Sequence, residues 1–235
     1  MKNKERTAVK AKAKKSATPQ YKLIVFDIDG TLITDKVFIW HAVHEFMQSD
    51  RSALLKAHEE FSSRKISYER YLSCDAGLLM ANNATKKMIL KSIEGMQLAV
   101  GARETLEELK RRGYKLAVIS GSLSLALQKV LPDYDEFFDD VFINHFFFDD
   151  DGRLMGWKAT PYDFEHKATG LKHLAKKYGI STRQCVFIGD NHNDLHIAEE
   201  AGLSIAFNCK SDTLAQVADI VTKTDDLREI LHYIP

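Results

Sequence analysis

At 235 residues, 45% of them hydrophobic and only 4 of them proline, the chain suffices for one packed domain, or one domain carrying an insertion. Lys+Arg and Asp+Glu both number 33, and the zero formal charge excludes a global basic field for nucleic acid and an acidic excess favouring disorder. No apolar run approaches the eighteen or so residues that span a bilayer, and no secretory apolar core is present.

A cytoplasmic protein with no membrane or nucleic-acid partner is therefore expected, its oligomeric state unread. Charge is nevertheless uneven. Residues 1–20 carry Lys2, Lys4, Arg6, Lys10, Lys12, Lys14 and Lys15 against Glu5 alone, and they lack large apolar side chains beyond Met1 and Val9. They read as a disordered basic tail. Tyr21 to Phe26 is then a short, mostly apolar run ending at Asp27, with Gly30 just beyond. It suits a strand buried on both faces.

Residues 34–96 break that pattern. They hold no proline and only Gly77 and Gly95, and apolar positions such as Tyr68, Tyr71 and Leu72, then Met88, Leu90 and Ile93, recur at helical spacing. This is expected to be an inserted all-helical cap. Leu106 and Leu109 next precede a helix stop at Gly113, and Leu116–Ile119 forms a second strand run. Asp149-Asp150-Asp151-Gly152, flanked by Phe146–Phe148 and Leu154, signals a hairpin turn rather than a calcium site. Ala168, Leu171, Leu174, Ala175 and Tyr178 form a helical stripe ending at Gly179, and Cys185–Ile188 and Leu203–Phe207 add two more strand runs.

Strand alternating with helix predicts an α/β fold, a Rossmann-like parallel sheet with helices on both faces, built from 21–33 and 97–235. In such sheets ligands sit beyond the carboxyl ends of the strands, where Asp27, Ser120 and Asp190 fall. Cys74, Cys185 and Cys209 are far apart and read as reduced, mostly buried thiols.

Four short stretches carry chemistry. In Asp27-Ile28-Asp29-Gly30-Thr31, two carboxylates two residues apart at a strand end can divide the work of nucleophile and proton donor. Gly189-Asp190-Asn191-His192-Asn193-Asp194 superficially matches a calcium loop. That reading fails, because Leu195 stands where a sharp-turn glycine is required and Ala201 where a glutamate is needed. A small site of few carboxylates suits Mg²⁺ with waters and a substrate phosphate. Ser120-Gly121-Ser122 before a helix can bind an anion or cap that helix. Lys167 opens the last stripe, as a surface lysine or as a phosphate-binding cation.

In type, order and spacing these stretches resemble the four motifs of the haloacid dehalogenase (HAD) superfamily, from Lys22 to the end of the chain. Within it, the runs KLIVFDIDGTL, GYKLAVISGS, CVFIGDNHNDL and AGLSIAFNCK are most similar to the phosphoserine phosphatase subgroup. The resemblance implies a Mg²⁺-dependent phosphomonoesterase acting on a small phosphate ester. Asp27 would be the nucleophile and become an aspartyl phosphate, and Asp29 the proton donor and later the base. The carboxylates of Asp27 and Asp190 and the backbone carbonyl of Asp29 would hold Mg²⁺. Ser120, the Gly121 amide and Lys167 would bind phosphate oxygens, with Asn193 and Asp194 orienting their neighbours. The physical logic agrees: a carboxylate can approach a phosphate dianion only if cations neutralise both.

The cap departs from that subgroup. Lys36 stands where a glutamate would receive the substrate ammonium, and Asp75 where an arginine would receive its carboxylate. Two readings follow. Either the cap is re-registered, so that Arg64, Arg70 or Glu45 reaches inward, or the substrate is another small ester. In the second case Asp75 with Trp40, Tyr68 and Tyr71 makes a pocket for a phosphoethanolamine- or phosphocholine-like cation, unless the aromatics are ordinary packing. Phosphoryl transfer to a second substrate shares the first half-reaction. A non-catalytic binding protein is the remaining alternative, and intact motifs give it no support.

Overall fold

The four residues Leu23–Phe26 (β1) are apolar and fully buried, as only a strand in the middle of a covered sheet can be. The computed structural model describes residues 21–34 and 38–235, apart from the Glu165 side chain. The expected basic tail and Lys36 lie outside the described residues. After β1 come the two-residue strand Ile33–Thr34 (β2) and four helices: α1 (Ile39–Phe46), α2 (Arg51–Ser62), α3 (Tyr68–Ala81) and α4 (Lys86–Ser92). The chain returns through Gln97–Leu98 (β3), α5 (Ala102–Arg111), β4 (Lys115–Leu123), α6 (Ser124–Val130) and α7 (Tyr134–Phe137). It continues through β5 (Asp140–Phe148), β6 (Leu154–Lys158), α8 (Lys167–Lys177) and β7 (Cys185–Gly189). Last come α9 (Leu195–Glu200), β8 (Leu203–Ala206), α10 (Asp212–Val217) and β9 (Ile220–Val221).

Among the described residues seven strands form one sheet in the order β6-β5-β4-β1-β7-β8-β9. All neighbours are parallel except β5 and β6, which form the expected hairpin over the Asp149–Gly152 turn. Side chains of β1 alternate between two cores. Ile24 and Phe26 pack with Leu106 and Leu109 of α5, and Leu23 and Val25 with Leu171 and Leu174 of α8. Register then places the chemistry. Phe26 lies opposite Val118 of β4 and Ile188 of β7, so Asp27, Ser120 and Asp190 emerge within a residue or two of each other at one end.

One boundary differs from expectation. Ser120, Gly121 and Ser122 lie inside β4, which runs on to Leu123 with a register shift against β5 between Ile119 and Leu123. The helix α6 is capped by Leu123 without a side-chain bond, so neither serine serves as its cap. The strands β2, β3 and β9, two residues each, offer no periodicity to read.

Residues 38–96 contain helices α1–α4, as the spacing predicted. Three start on side chains that accept backbone N–H bonds: Asp50 for α2, Ser67 for α3 and Thr85 for α4. The ribbon β2–β3 pairs Ile33 with Leu98 and Thr34 with Gln97, bringing the two ends of the excursion side by side. Its far side is fastened to the β5–β6 turn, where Lys86 N donates to Gly152 O and Leu154 N to Ala84 O. No described helix is long and apolar enough to cross a membrane. The three cysteines are free, but only Cys185 is buried, because Cys74 and Cys209 lie at partly exposed positions rather than in the core.

Candidate active site

Asp27 is the first residue past β1, and its N–H donates to Ile188 O of β7, fixing it at the sheet edge. The turn behind it closes through Gly30 N to Ile33 O and Ile33 N to Ile28 O. Gly30 has φ +83, and a Cβ there would lie 2.1 Å from Asp190 Oδ2. Glycine is thus required for both the backbone angle and the approach of the two acidic loops. Asp29 Oδ1 accepts from Ser122 Oγ at 2.8 Å. Burial, and then the charge of Asp27, push the Asp29 carboxyl up to about 7 against that bond. It can therefore carry a proton near neutrality, as a proton donor must.

The second acidic loop is organised by Asp194. Its Oδ2 accepts from the N–H groups of Asp190 and Asn191, and its Oδ1 from Lys167 Nζ at 2.7 Å. Lys167 is 0% exposed and also lies 2.9 Å from Asp27 Oδ1, an ion pair without hydrogen-bond alignment. Burial opposes the Lys167 charge, but Asp194, Asp27 and Asp163 outweigh it and hold the ammonium above its ordinary range. Lys167 is thus not a surface lysine.

Asp27, Asp190 and Asp194 each offer an oxygen, and all three atoms lie within 4.8 Å of one another. Oδ1 of Asp27 and Oδ1 of Asp190 have no hydrogen-bond partner. Buried carboxylate oxygens without donors, converging on one point, fit a hard divalent cation. Lys210 Nζ pairs with the other oxygen of Asp190 at 2.8 Å. Asp194 enters this group by geometry, yet both its oxygens already accept hydrogen bonds, consistent with an orienting role.

These groups meet the helices α1–α3 across a cavity of about 860 Å³. Asp27, Asp29, Ser120, Gly121 and Asn193 line it from the sheet side, and Trp40, Tyr68, Tyr71 and Asp75 from the helices. Lys167, Asp190 and Asp194 do not line it and stand behind the first row. Trp40 Nε1 donates to Gly121 O at 3.0 Å. Asn144 Nδ2 donates to the same carbonyl at 2.7 Å and to the Tyr68 hydroxyl at 2.8 Å, while Asn144 Oδ1 accepts from Thr160 N. Asn144 thus joins sheet to helices.

Sequence reasoning passed over Asn144, although a lone amide in the apolar run Val141–Phe148 is a usable signal. Asp163 also escaped notice, since an Asp shortly before a helix reads as a turn residue. It is buried against Gly121, where a Cβ would lie 1.9 Å from Asp163 Oδ2.

The side chains expected of a re-registered cap reach the cavity only in part. Neither Arg64 nor Arg70 lines the cavity, and Arg70 is exposed. Glu45 does line it, with Arg51, which no motif marked. His44 lines it as well, its Nδ1 bonded to Ser49 Oγ and its pKa lowered by burial to about 4, so the ring is neutral.

Comparison with known proteins agrees with this geometry. Residues 21–202 match the family described as haloacid dehalogenase-like hydrolase. The phosphoserine phosphatase of Methanocaldococcus jannaschii is 34% identical over 215 residues, covering 91% of this chain and 97% of its own. That of Haemophilus influenzae is 30% identical over 216 residues, of which this chain spans 64% of the length. Among solved structures, a phospho-aspartyl intermediate analogue of phosphoserine phosphatase superposes with a TM-score of 0.72 at 31% identity, covering 92% of this chain and all of the other. With the match running through the sheet and the acidic loops alike, the chain belongs to the haloacid dehalogenase-like hydrolases.

Proposed function

We propose that this protein hydrolyses small phosphate monoesters of the phosphoserine type, in the cytoplasm, through a phosphoryl group carried on Asp27. The observation that carries the reading is the convergence of Asp27, Asp190 and Asp194 on one point with the buried Lys167 behind them. Similarity to phosphoserine phosphatases over most of the chain supports the substrate class.

Ser120 and Lys167 receive the phosphate oxygens, which brings the phosphorus to Asp27. Asp27 attacks in line, and the bond from phosphorus to the alcohol oxygen breaks as Asp29 gives that oxygen its proton. Asp29, now ionised, takes a proton from water, which displaces phosphate and restores Asp27. Asp27, Asp190 and the Asp29 carbonyl would hold Mg²⁺, with Asp194 orienting that loop. The ion would neutralise charge shared by the carboxylates and the phosphate. Helices α1–α4 act as the cap, excluding water. The test is hydrolysis of p-nitrophenyl phosphate by the purified chain with and without MgCl₂. Turnover is expected only with the metal, and Asp27→Asn should lower it by about 10⁴-fold or more. An unaltered rate in that variant, or no turnover by the parent, overturns the reading.

A further inference from the structure

Besides the exposed Glu45, the cavity holds two buried carboxyl groups that phosphoryl chemistry leaves unused. Asp75, on α3, is 3% exposed, and Asp163, in the segment before α8, is 4% exposed. Both line the cavity, and Oδ1 of each has no hydrogen-bond partner. Tyr71 lines the cavity with them, and after burial itself the charges of Asp75 and then Asp163 raise its phenol. A buried acceptor without a donor is costly, so a group retained in that state calls for a ligand that donates.

What the cavity lacks is as informative. Among its described lining residues there is no lysine, and Arg51 is the one arginine, exposed on the first turn of α2. The charge of Lys167 is paired with Asp194 and Asp27 and shared with Asp163, and His44 is neutral. Among the described lining residues, a carboxylate on the leaving group would thus meet two buried acids and, as the one permanent cation, the solvated Arg51. Tyr68, Tyr71 and Phe164 pack with Phe61 into an aromatic cluster that lines the same cavity, and such rings tolerate a cation better than an anion.

We propose that Asp75 and Asp163 form a subsite for a protonated amino group on the leaving alcohol, so that the preferred substrate is the phosphate monoester of a small amino alcohol without a carboxylate. An ammonium supplies both the N–H donors that the two free oxygens require and the charge that they share. A neutral hydroxyl supplies a donor but no charge. Asp163 Oδ2 sits against Gly121, next to phosphate-binding Ser120, so the linker between phosphate and amine is short. This assignment rests on the phosphatase reading above and narrows it.

The experiment compares kcat/KM of the Mg²⁺-loaded full chain for phosphoethanolamine, phosphoserine, glycerol 3-phosphate and p-nitrophenyl phosphate. Phosphoethanolamine is expected to exceed both phosphoserine and glycerol 3-phosphate by at least about tenfold, the scale of one charge-assisted hydrogen bond. In Asp75→Asn and in Asp163→Asn its advantage over glycerol 3-phosphate should shrink about tenfold. Urea unfolding verifies that each variant folds, and the parent's own preferences decide the matter if either does not. Phosphoserine leading the series, or a neutral ester equalling phosphoethanolamine, overturns the subsite while p-nitrophenyl phosphate turnover upholds the phosphatase. Absence of that turnover instead overturns both.

Discussion

On the sheet side of the cavity most buried polar atoms are tied to other protein groups, with Oδ1 of Asp27, Asp163 and Asp190 the exceptions, whereas on the helical side Asp75 Oδ1 and His44 Nε2 are buried and meet none. Lys167 stands between Asp27 and Asp194, Asp194 holds the amides of Asp190 and Asn191, and Ser122 holds Asp29. Across the gap, Asp75 Oδ1 and His44 Nε2 have no partner, and the rest of that wall is largely aromatic and aliphatic. Groups that handle the shared reaction centre are preorganised by one another and hold their geometry unaided. Groups that read the variable part of a ligand stay unmet until it arrives, at a cost in stability.

The largest expected effect breaks the first half of that contrast. Lys167→Met leaves Asp27 and Asp194 buried without their cation, and about 3–5 kcal/mol of stability should be lost, read as a lower urea midpoint at neutral pH. A midpoint equal to the parent's means that the sheet side is not held by its charges. The second half is sharpened by Asp75→Asn. Burial raises the Asp75 carboxyl from 3.8 to about 7, so the folded protein binds this proton more tightly than the unfolded chain does. Its contribution to stability is then full below about pH 4 and lost as pH rises through 7. The variant, free of that loss, should exceed the parent by about 1–3 kcal/mol at pH 8, and the gap should close toward pH 4.5. A gap independent of pH refutes the unpaired charge. Smallest is Trp40→Phe, which removes the bond to Gly121 O and should cost about 1 kcal/mol in thermal unfolding, with the helical wall otherwise intact.

The same contrast explains what could be read from the chain. Asp27, Ser120 and Asp190 were legible because a residue near the end of a parallel strand needs only strand register to reach its neighbours, and Lys167, which opens α8, because it stands in order between them. The block of helices was legible from spacing. Its facing side chains were not: which turn of α2 or α3 points inward depends on helix packing, and Arg51 lines the cavity where Arg64 and Arg70 do not. Asp163 and Asn144 act through contacts across the fold, to Gly121 and Tyr68, that no local pattern encodes. The extension of β4 through Ser120–Leu123 was hidden because serine and glycine ordinarily signal the end of a strand.

Asn144 carries one more lesson. Its amide nitrogen faces a carbonyl and a phenol while its oxygen receives the Thr160 amide, so the two ends of one planar group cannot be exchanged. Replacing that nitrogen by oxygen, as aspartate would, keeps the outline of the side chain and sets an anion against the Gly121 carbonyl. This stretch of the seam between sheet and helices thus turns on a single atom: a substitution almost invisible to sterics would turn adhesion there into repulsion.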